Sequence, residues 1–280
     1  MRWRRFTNVI FDCDSTLATI EGIDELAKMC GKTDEISALT DAAMNGSIDL
    51  VEVYEKRMQL LAPTREQIVA LKQDYKSSTI AGAVPLLDML DEVDINRFIV
   101  SGGLADAVVE YGVWLGFDPK SVFAVKSTYD PLAESWWSGN TEKYMASTTP
   151  DLTATVGKGY VVESQILPKS PGRTCLIGDG SSDLAAKDSV DLFICYTGVV
   201  ARPNVVALAD VVVPNYECLA AVTLGPETLA TFTTGPHRDF AVASISSVRD
   251  HYEDKTFSFG SLELEDKFCA DFERFCTQKV

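Results

Sequence analysis

The sequence predicts an α/β fold: a parallel sheet with helices on both faces, and a small helical cap inserted after the first strand. Short apolar runs bounded by turn residues indicate strands over residues 7–11, 97–100, 174–177, 192–195 and 211–213. Helical patterns over residues 104–115 and 156–167 lie between the later runs. Because strands that alternate with helices form parallel βα units, these segments predict one parallel sheet.

The cap is predicted because residues 16–81 contain four helical patterns and no strand pattern. Gly31 is placed to end the first of these helices, and Asp49 to begin the third. Thr64 and Gln67 have the spacing of a capping box at the start of the fourth. We therefore expect an α/β core over residues 1–15 and 82–224 and a cap over residues 16–81.

The remaining segments are less regular. Residues 121–139 predict an irregular hairpin, and residues 225–280 predict a C-terminal extension in which the alternation of strands and helices stops. Phe268, Phe272 and Phe275 recur at helical spacing, which predicts an amphipathic helix at the end of the extension. We expect this helix to dock on the chain's own core, while a contact in a homodimer is the alternative.

Composition excludes several functional classes. The chain has 280 residues and a net charge of −16, which disfavours nucleic acids and anionic membrane surfaces as partners. No apolar stretch approaches the ~20 residues of a membrane-spanning helix, and the apolar run near the start is too short for a signal peptide. Seven scattered cysteines without a CxxC pair predict reduced thiols and a cytoplasmic location. With only two histidines, the chemistry has to depend on carboxylates, hydroxyls and lysine.

Polar residues follow three of the predicted strands, at the edge where the carboxyl ends of parallel strands meet. They are Asp12 and Asp14 after the first strand, Ser101, Gly102 and Gly103 after the second, and Asp179 and Asp183 after the third, with Lys158 at the start of the preceding helix. Each motif alone is weak, because a D-x-D pair or an S-G-G triplet is often only a turn. Together they predict one site.

The residue types indicate phosphoryl chemistry. Asp12, Asp14 and Asp179 would form an oxygen-rich site suited to Mg²⁺, and the cation would relieve the repulsion between neighbouring carboxylates. Beside Ser101 and Lys158, it would create an electropositive pocket for a phosphoryl group. One aspartate would attack phosphorus to form an aspartyl-phosphate, and the other would protonate the leaving alkoxide and then activate water.

The order D-x-D-S-T, S-G-G, Lys, G-D-G-x-x-D resembles that of the haloacid dehalogenase (HAD) superfamily of aspartate-nucleophile phosphatases, most closely its phosphoserine phosphatase branch, over roughly residues 6–222. The resemblance implies a Rossmann-like core with a C1-type cap. It implies that Asp12 is the nucleophile and Asp14 the acid/base. It also implies phosphate binding by Ser101, Gly102 and Lys158, and metal binding by Asp12, the main-chain carbonyl of Asp14, Asp179 and Asp183.

The cap sequence extends the resemblance to the substrate. Glu21 and Arg57 match the residues with which phosphoserine phosphatases bind the ammonium and the carboxylate of serine. Met44 matches a methionine that lines the pocket of that family. Gly103 and Ser182 complete the expected substrate-binding set. This set suits a zwitterion, because an Arg fork binds a carboxylate in bidentate fashion.

Two positions depart from the family pattern. Leu50 stands where an aromatic residue is usual, and Ser182 stands where asparagine is usual. We expect a Mg²⁺-dependent phosphatase that acts on a small phosphorylated metabolite, with O-phospho-L-serine of serine biosynthesis as the leading substrate. The alternatives are another small phosphate ester, phosphoryl transfer to an alcohol such as homoserine, and a non-catalytic protein that binds a phosphorylated ligand.

Overall fold

A mostly parallel sheet forms the centre of the protein, which the computed structural model describes over residues 2–44, 50–130 and 142–276. The strands in these ranges are β1 (Asn8–Phe11), β2 (Asn96–Leu104), β3 (Val122–Val125), β4 (Ser127–Asp130), β5 (Lys143–Ser147), β6 (Thr174–Gly178), β7 (Leu192–Tyr196), β8 (Val211–Val213) and β9 (Ser258–Phe259). Seven of them form the sheet, in the order β3-β2-β1-β6-β7-β8-β9. All of its neighbours run parallel except β8 and β9. The predicted α/β sheet is confirmed.

The register of the sheet brings three strand ends to one level. Phe11 of β1 lies opposite Ile99 of β2 on one side and Ile177 of β6 on the other. The residues that follow these three therefore lie side by side. This places the polar residues that follow each strand at a common edge, as expected for a parallel sheet.

Helices cover both faces of the sheet. One face carries α5 (Ala83–Glu92), α6 (Ala105–Trp114) and α10 (Tyr216–Leu224), and the other carries α7 (Gly157–Val161), α8 (Ser181–Ala185) and α9 (Pro203–Val206). Neighbouring strand residues point to opposite faces, so that Val9 and Ile10 belong to two different apolar clusters. The helix predicted over residues 156–167 changes after α7 into a π-helical segment, Val162–Ile166.

Four helices connect β1 to the rest of the core, as predicted for the cap. They are α1 (Gly22–Met29), α2 (Thr33–Met44), α3 (Leu50–Leu61) and α4 (Arg65–Ser77). Gly31 has a φ of +63° just after α1, and the predicted capping box is present, because Thr64 and Gln67 bond each other's backbone N–H groups. Asp49 lies outside the described residues. A bridge between Ala18 and Thr79 joins the two connections between cap and core.

The hairpin predicted over residues 121–139 is partly wrong. Its first residues belong to β3, which pairs with β2 in the main sheet, because they form a short buried apolar run. The strands of the hairpin are β4 and β5, which pair antiparallel. The hairpin therefore starts and ends later in the chain than predicted.

The C-terminal extension contains α11 (Pro226–Leu229), α12 (Arg238–Glu253), β9 and α13 (Leu262–Cys276). The predicted amphipathic helix is confirmed as α13, and it docks on the chain's own core. It contributes Phe268 and Phe272 to an aromatic cluster, which also contains Trp3, Phe257 and Phe259. The sequence pattern did not predict β9, whose two residues are too few for a recognisable alternation.

Two further expectations concern the state of the cysteines and the presence of membrane-spanning helices. All seven cysteines are free thiols. None of the helices described here is both long and apolar enough to cross a membrane.

Candidate active site

A cavity of about 470 Å³ lies between the carboxyl edge of the sheet and the cap. Most of the residues predicted for the site line it, namely Asp12, Asp14, Glu21, Arg57, Gly102, Gly103, Lys158, Asp179 and Ser182. Ser101 and Asp183 are buried just behind this wall and hydrogen-bond to lining residues. The residues that lie far apart in the sequence thus converge on one cavity.

Three buried carboxylates cluster at the sheet edge. Oxygens of Asp12, Asp179 and Asp183 all lie within 4.8 Å of one another. Burial, together with the charge of Asp12, raises the pKa of Asp183 to about 7. Hard oxygen donors at this spacing fit a divalent cation such as Mg²⁺. The Asp14 carboxylate is not part of this cluster, because its side chain turns towards the cap and is hydrogen-bonded there. The metal-binding role predicted for Asp14 stays a prediction.

Lys158 neutralises part of this charge. Its ammonium lies 2.8 Å from Asp12 Oδ2 and 2.7 Å from Asp183 Oδ1. Lys158 is itself buried, near the start of α7. Burial lowers the pKa of Lys158, but the two carboxylates outweigh this effect, so that the net pKa lies above the ordinary value. The lysine is therefore a fixed positive charge at the base of the cavity.

Asp14 is oriented by groups outside the sheet. Its Oδ1 accepts hydrogen bonds from the backbone N–H of Gly22 and from the hydroxyl of Tyr75, both at 2.8 Å. Burial, with the nearby charges of Glu21 and Asp12, raises the pKa of Asp14 to about 8. A raised pKa favours the protonated form of the carboxyl group, which is the form that a general acid needs.

The S-G-G segment is the irregular end of β2 rather than a separate turn. The pairing of β2 with β3 shifts register between Val100 and Leu104. Within this bulge, the N–H of Gly103 donates to Ser101 Oγ at 2.9 Å. A Cβ atom at Gly103 would lie 2.9 Å from Val108 Cγ2 and 3.4 Å from Asp14 Oδ2, so that the close approach requires glycine.

The cap side of the cavity carries Glu21 and Arg57. Glu21 Oε1 accepts a hydrogen bond from Ser15 Oγ at 2.7 Å. Arg57, on α3, is half-buried, and burial lowers its pKa despite the opposing charges of Asp24 and Glu21. An acidic and a basic group thus line the same part of the cavity.

Three further predictions concern side chains expected to line the cavity. Ser182 is half-buried at the start of α8 and lines the cavity. The side chains of Met44 and Leu50 lie outside the described part of the structure, and their predicted effects on the pocket stay predictions.

Among the lining residues that the sequence did not predict, two have side chains that contact carboxylates of the site. Arg202 forms an ion pair with Asp179 and lies 3.4 Å from Glu21 Oε1. Arg202 follows β7 in a loop at the same sheet edge as the aspartates. Because residues that follow parallel strands meet at this edge, the argument that identified the aspartates could also have identified Arg202. Tyr75 gave no such signal, because an aromatic residue on a helix face is typical of core packing.

Comparison with known proteins finds phosphoserine phosphatases among the relatives of the chain. The chain is 32% identical over 197 residues to the phosphoserine phosphatase of Homo sapiens, covering 70% of this chain and 84% of the human protein. It is 30% identical over 220 residues to a chloroplastic phosphoserine phosphatase of Arabidopsis thaliana, covering 78% of this chain and 72% of the plant protein. No protein-family model matches the chain.

Solved structures share the fold. DsGPDH of Dunaliella salina aligns with a TM-score of 0.66 at 25% identity, over 82% of this chain but only 41% of that one. A phospho-aspartyl intermediate analogue of a phosphoserine phosphatase aligns with a TM-score of 0.61 at 23% identity, over 78% of this chain and all of that one (100%). The sheet with its inserted cap, the convergent site and the curated relatives agree: the chain belongs to the phosphoserine phosphatases of the haloacid dehalogenase superfamily.

Proposed function

We propose that the protein hydrolyses O-phospho-L-serine to serine and phosphate through an aspartyl-phosphate on Asp12. The observation that carries this proposal is one cavity that joins the buried aspartate–lysine cluster of the sheet edge to Glu21 and Arg57 of the cap. The cluster suits a phosphoryl group, and the cap pair suits the zwitterionic serine moiety. The names of the relatives support the same substrate.

In the first half of the reaction, a carboxylate oxygen of Asp12 attacks phosphorus while the bond from phosphorus to the serine oxygen breaks. Asp14 gives its proton to that departing oxygen, so that serine leaves as a neutral alcohol. In the second half, Asp14 takes a proton from water as the water oxygen attacks phosphorus and the bond from phosphorus to Asp12 breaks. Asp14 ends protonated, ready for the next turnover.

The phosphoryl oxygens are held by the sheet edge in this proposal. Lys158 supplies a positive charge, and Ser101 and Gly102 supply a hydroxyl and a backbone N–H at the bulge of β2. Because Lys158 already contacts Asp12 Oδ2 at 2.8 Å, it also holds the nucleophile in place. Preorganised charge of this kind is the main source of catalysis in phosphoryl transfer.

Asp12, Asp179, Asp183 and the main-chain carbonyl of Asp14 would hold the Mg²⁺ ion. The fit rests on the three carboxylates within 4.8 Å and on their charge, which Lys158 and Arg202 together do not balance. A bound Mg²⁺ would neutralise phosphoryl charge.

The serine moiety is placed in the cap half of the cavity. Glu21 binds its ammonium and Arg57 its carboxylate, while Gly103 and Ser182 enclose it. The role of Met44 in the pocket stays a prediction. Serine biosynthesis, a cytoplasmic location and a homodimer stay predictions. The free thiols support a reducing compartment.

The test is phosphate release by the purified protein with Mg²⁺ and a panel of esters that includes phosphoserine, phosphothreonine and phosphohomoserine. We expect phosphoserine to give the highest kcat/KM, EDTA to abolish turnover, and excess Mg²⁺ to restore it. Added homoserine should not capture the phosphoryl group. A clear preference for another ester, or transfer to homoserine, would contradict the substrate assignment.

The nucleophile is tested separately with Asp12→Asn. This variant should form no acid-stable, hydroxylamine-labile phosphoenzyme and should lose turnover by about 1,000-fold or more. Asp34→Asn, on the exposed surface of α2, is the matched control and should behave as the wild type does. Turnover by Asp12→Asn at the wild-type rate would refute the mechanism.

A further inference from the structure

We propose that Tyr75 is a positioning residue for the reaction, and that its hydroxyl holds Asp14 so that one carboxyl oxygen, Oδ2, is the reacting one. Tyr75 lies near the end of α4 and is fully buried. Its hydroxyl donates to Asp14 Oδ1 at 2.8 Å. The inference rests on the proposed function, in which Asp14 is the acid/base.

The two oxygens of Asp14 have different surroundings. Oδ1 accepts from both Tyr75 and the Gly22 N–H. Oδ2 faces the bulge of β2, where it lies 3.4 Å from the position that a Cβ of Gly103 would take. Two hydrogen bonds to one oxygen prevent rotation of the carboxyl group, and the other oxygen stays directed at the proposed phosphate site.

The sequence makes room for this contact at Gly22. A Cβ atom there would lie 2.2 Å from the Tyr75 hydroxyl oxygen. Any other residue at this position would push the hydroxyl away from Asp14. The glycine thus permits a specific hydrogen bond, which apolar packing of the tyrosine ring alone would not need.

The tyrosine ring is fixed from its other side. It stacks on Tyr111 of α6 with ring centroids 5.3 Å apart. The Tyr111 hydroxyl donates to the carbonyl of Leu17 rather than to a site carboxylate. Both donors to Asp14 lie in the segment between β1 and α5, so the acid is oriented by the cap and the nucleophile by the core.

Tyr75→Phe removes the hydroxyl and keeps the ring. We expect kcat for phosphoserine to fall by about 10- to 100-fold, because the acid is no longer aimed, while KM changes by less than about twofold. Tyr111→Phe is the matched control, since it removes an equally buried hydroxyl from the stacked neighbour. It should stay within about twofold of the wild type in both constants.

Two substrates with different leaving groups distinguish a loss of positioning from a general structural defect. Nitrophenolate departs from p-nitrophenyl phosphate without needing a proton, whereas the serine alkoxide needs one. In rapid-quench measurements, Tyr75→Phe should therefore slow the first turnover of phosphoserine and leave that of p-nitrophenyl phosphate within about threefold of the wild type. In the steady state, Tyr75→Phe should turn over both esters more slowly than the wild type, because the attack of water on the aspartyl-phosphate also needs Asp14.

Gly22→Ala is a second route to the same result, because it keeps the hydroxyl but displaces it. It should reproduce the selective loss on phosphoserine. The inference is overturned if Tyr75→Phe leaves kcat unchanged, if Tyr111→Phe loses as much, or if both esters lose first-turnover rate equally. Absence of Asp12-dependent turnover in the wild type would instead refute the proposed function, and this inference with it.

Discussion

The ammonium of Lys158 lies 2.8 Å from a carboxylate oxygen of Asp12, and the two side chains are only 4% and 12% exposed. A buried ion pair of this kind is strongly coupled to its surroundings, because removing one partner leaves the other charge without compensation. Asp183, on the other side of the ammonium, is fully buried. The lysine thus separates two carboxylates that would otherwise repel each other.

Lys158→Met should therefore destabilise the fold as well as abolish activity. We expect the free energy of unfolding to fall by about 3–5 kcal/mol in urea titrations carried out in EDTA. Lys187→Met is the control, because Lys187 pairs with Asp210 at 2.7 Å but is 33% exposed. It should cost no more than about 1 kcal/mol. Equal losses in the two variants would contradict the importance of burial here.

Arg202→Met should strengthen the binding of a divalent cation. Arg202 pairs with Asp179, one of the three clustered carboxylates, and its positive charge opposes a metal ion there. Removing it should tighten Mg²⁺ binding by about 3- to 10-fold in calorimetric titrations without substrate. Arg65→Met, which removes an exposed surface ion pair with Glu142, should leave the Mg²⁺ affinity unchanged. Weaker Mg²⁺ binding in Arg202→Met would refute this electrostatic account.

Gly103→Ala and Gly102→Ala should differ although they are neighbours. The new methyl at 103 would lie 2.9 Å from Val108 Cγ2, whereas the nearest atom to a methyl at 102 is the carbonyl oxygen of Leu152 at 3.6 Å. We expect Gly103→Ala to lower the free energy of unfolding by about 1–3 kcal/mol. Gly102→Ala should change it by no more than about 0.5 kcal/mol. Thermal and urea unfolding measure both, and the reverse order would show that the bulge of β2 adapts.

Phe268→Ala tests whether the extension is part of the folding unit. Phe268 is 1% exposed and contacts four other rings of the aromatic cluster. Its truncation should cost about 3–5 kcal/mol and should shift one cooperative transition. Phe275→Ala, at a partly buried position of the same helix, should cost clearly less. A separate early transition that leaves phosphatase activity intact would mean that the extension unfolds independently.

The parts of the site that could be predicted are those with a local signal. Asp12 and Asp179 directly follow short apolar runs, and the parallel sheet converts that local pattern into a common position in space. The position of these aspartates could therefore be predicted without any knowledge of side-chain contacts. Lys158 was found through its place in the combined motif, since a buried lysine has no pattern of its own.

The parts that could not be predicted depend on contacts between distant segments. Tyr75 occupies an apolar helix position, and only the fold shows that its hydroxyl meets Asp14 rather than solvent. For the same reason, the sequence did not show that the Asp14 carboxylate turns to the cap, where Gly22 and Tyr75 donate to it. The strand β9 is defined by its pairing with β8 and has no recognisable pattern of its own.

The aromatic cluster has a consequence for the order in which the chain can fold during synthesis. The backbone N–H of Trp3 donates to the buried carboxylate of Asp271, which the ribosome adds 268 residues later. The indole N–H of Trp3 likewise has no acceptor until Val222, whose carbonyl it donates to, has been added. The segment before β1 therefore stays without these partners while the residues between them are synthesised, and a nascent chain stalled before α13 would present unpaired aromatic surface to chaperones.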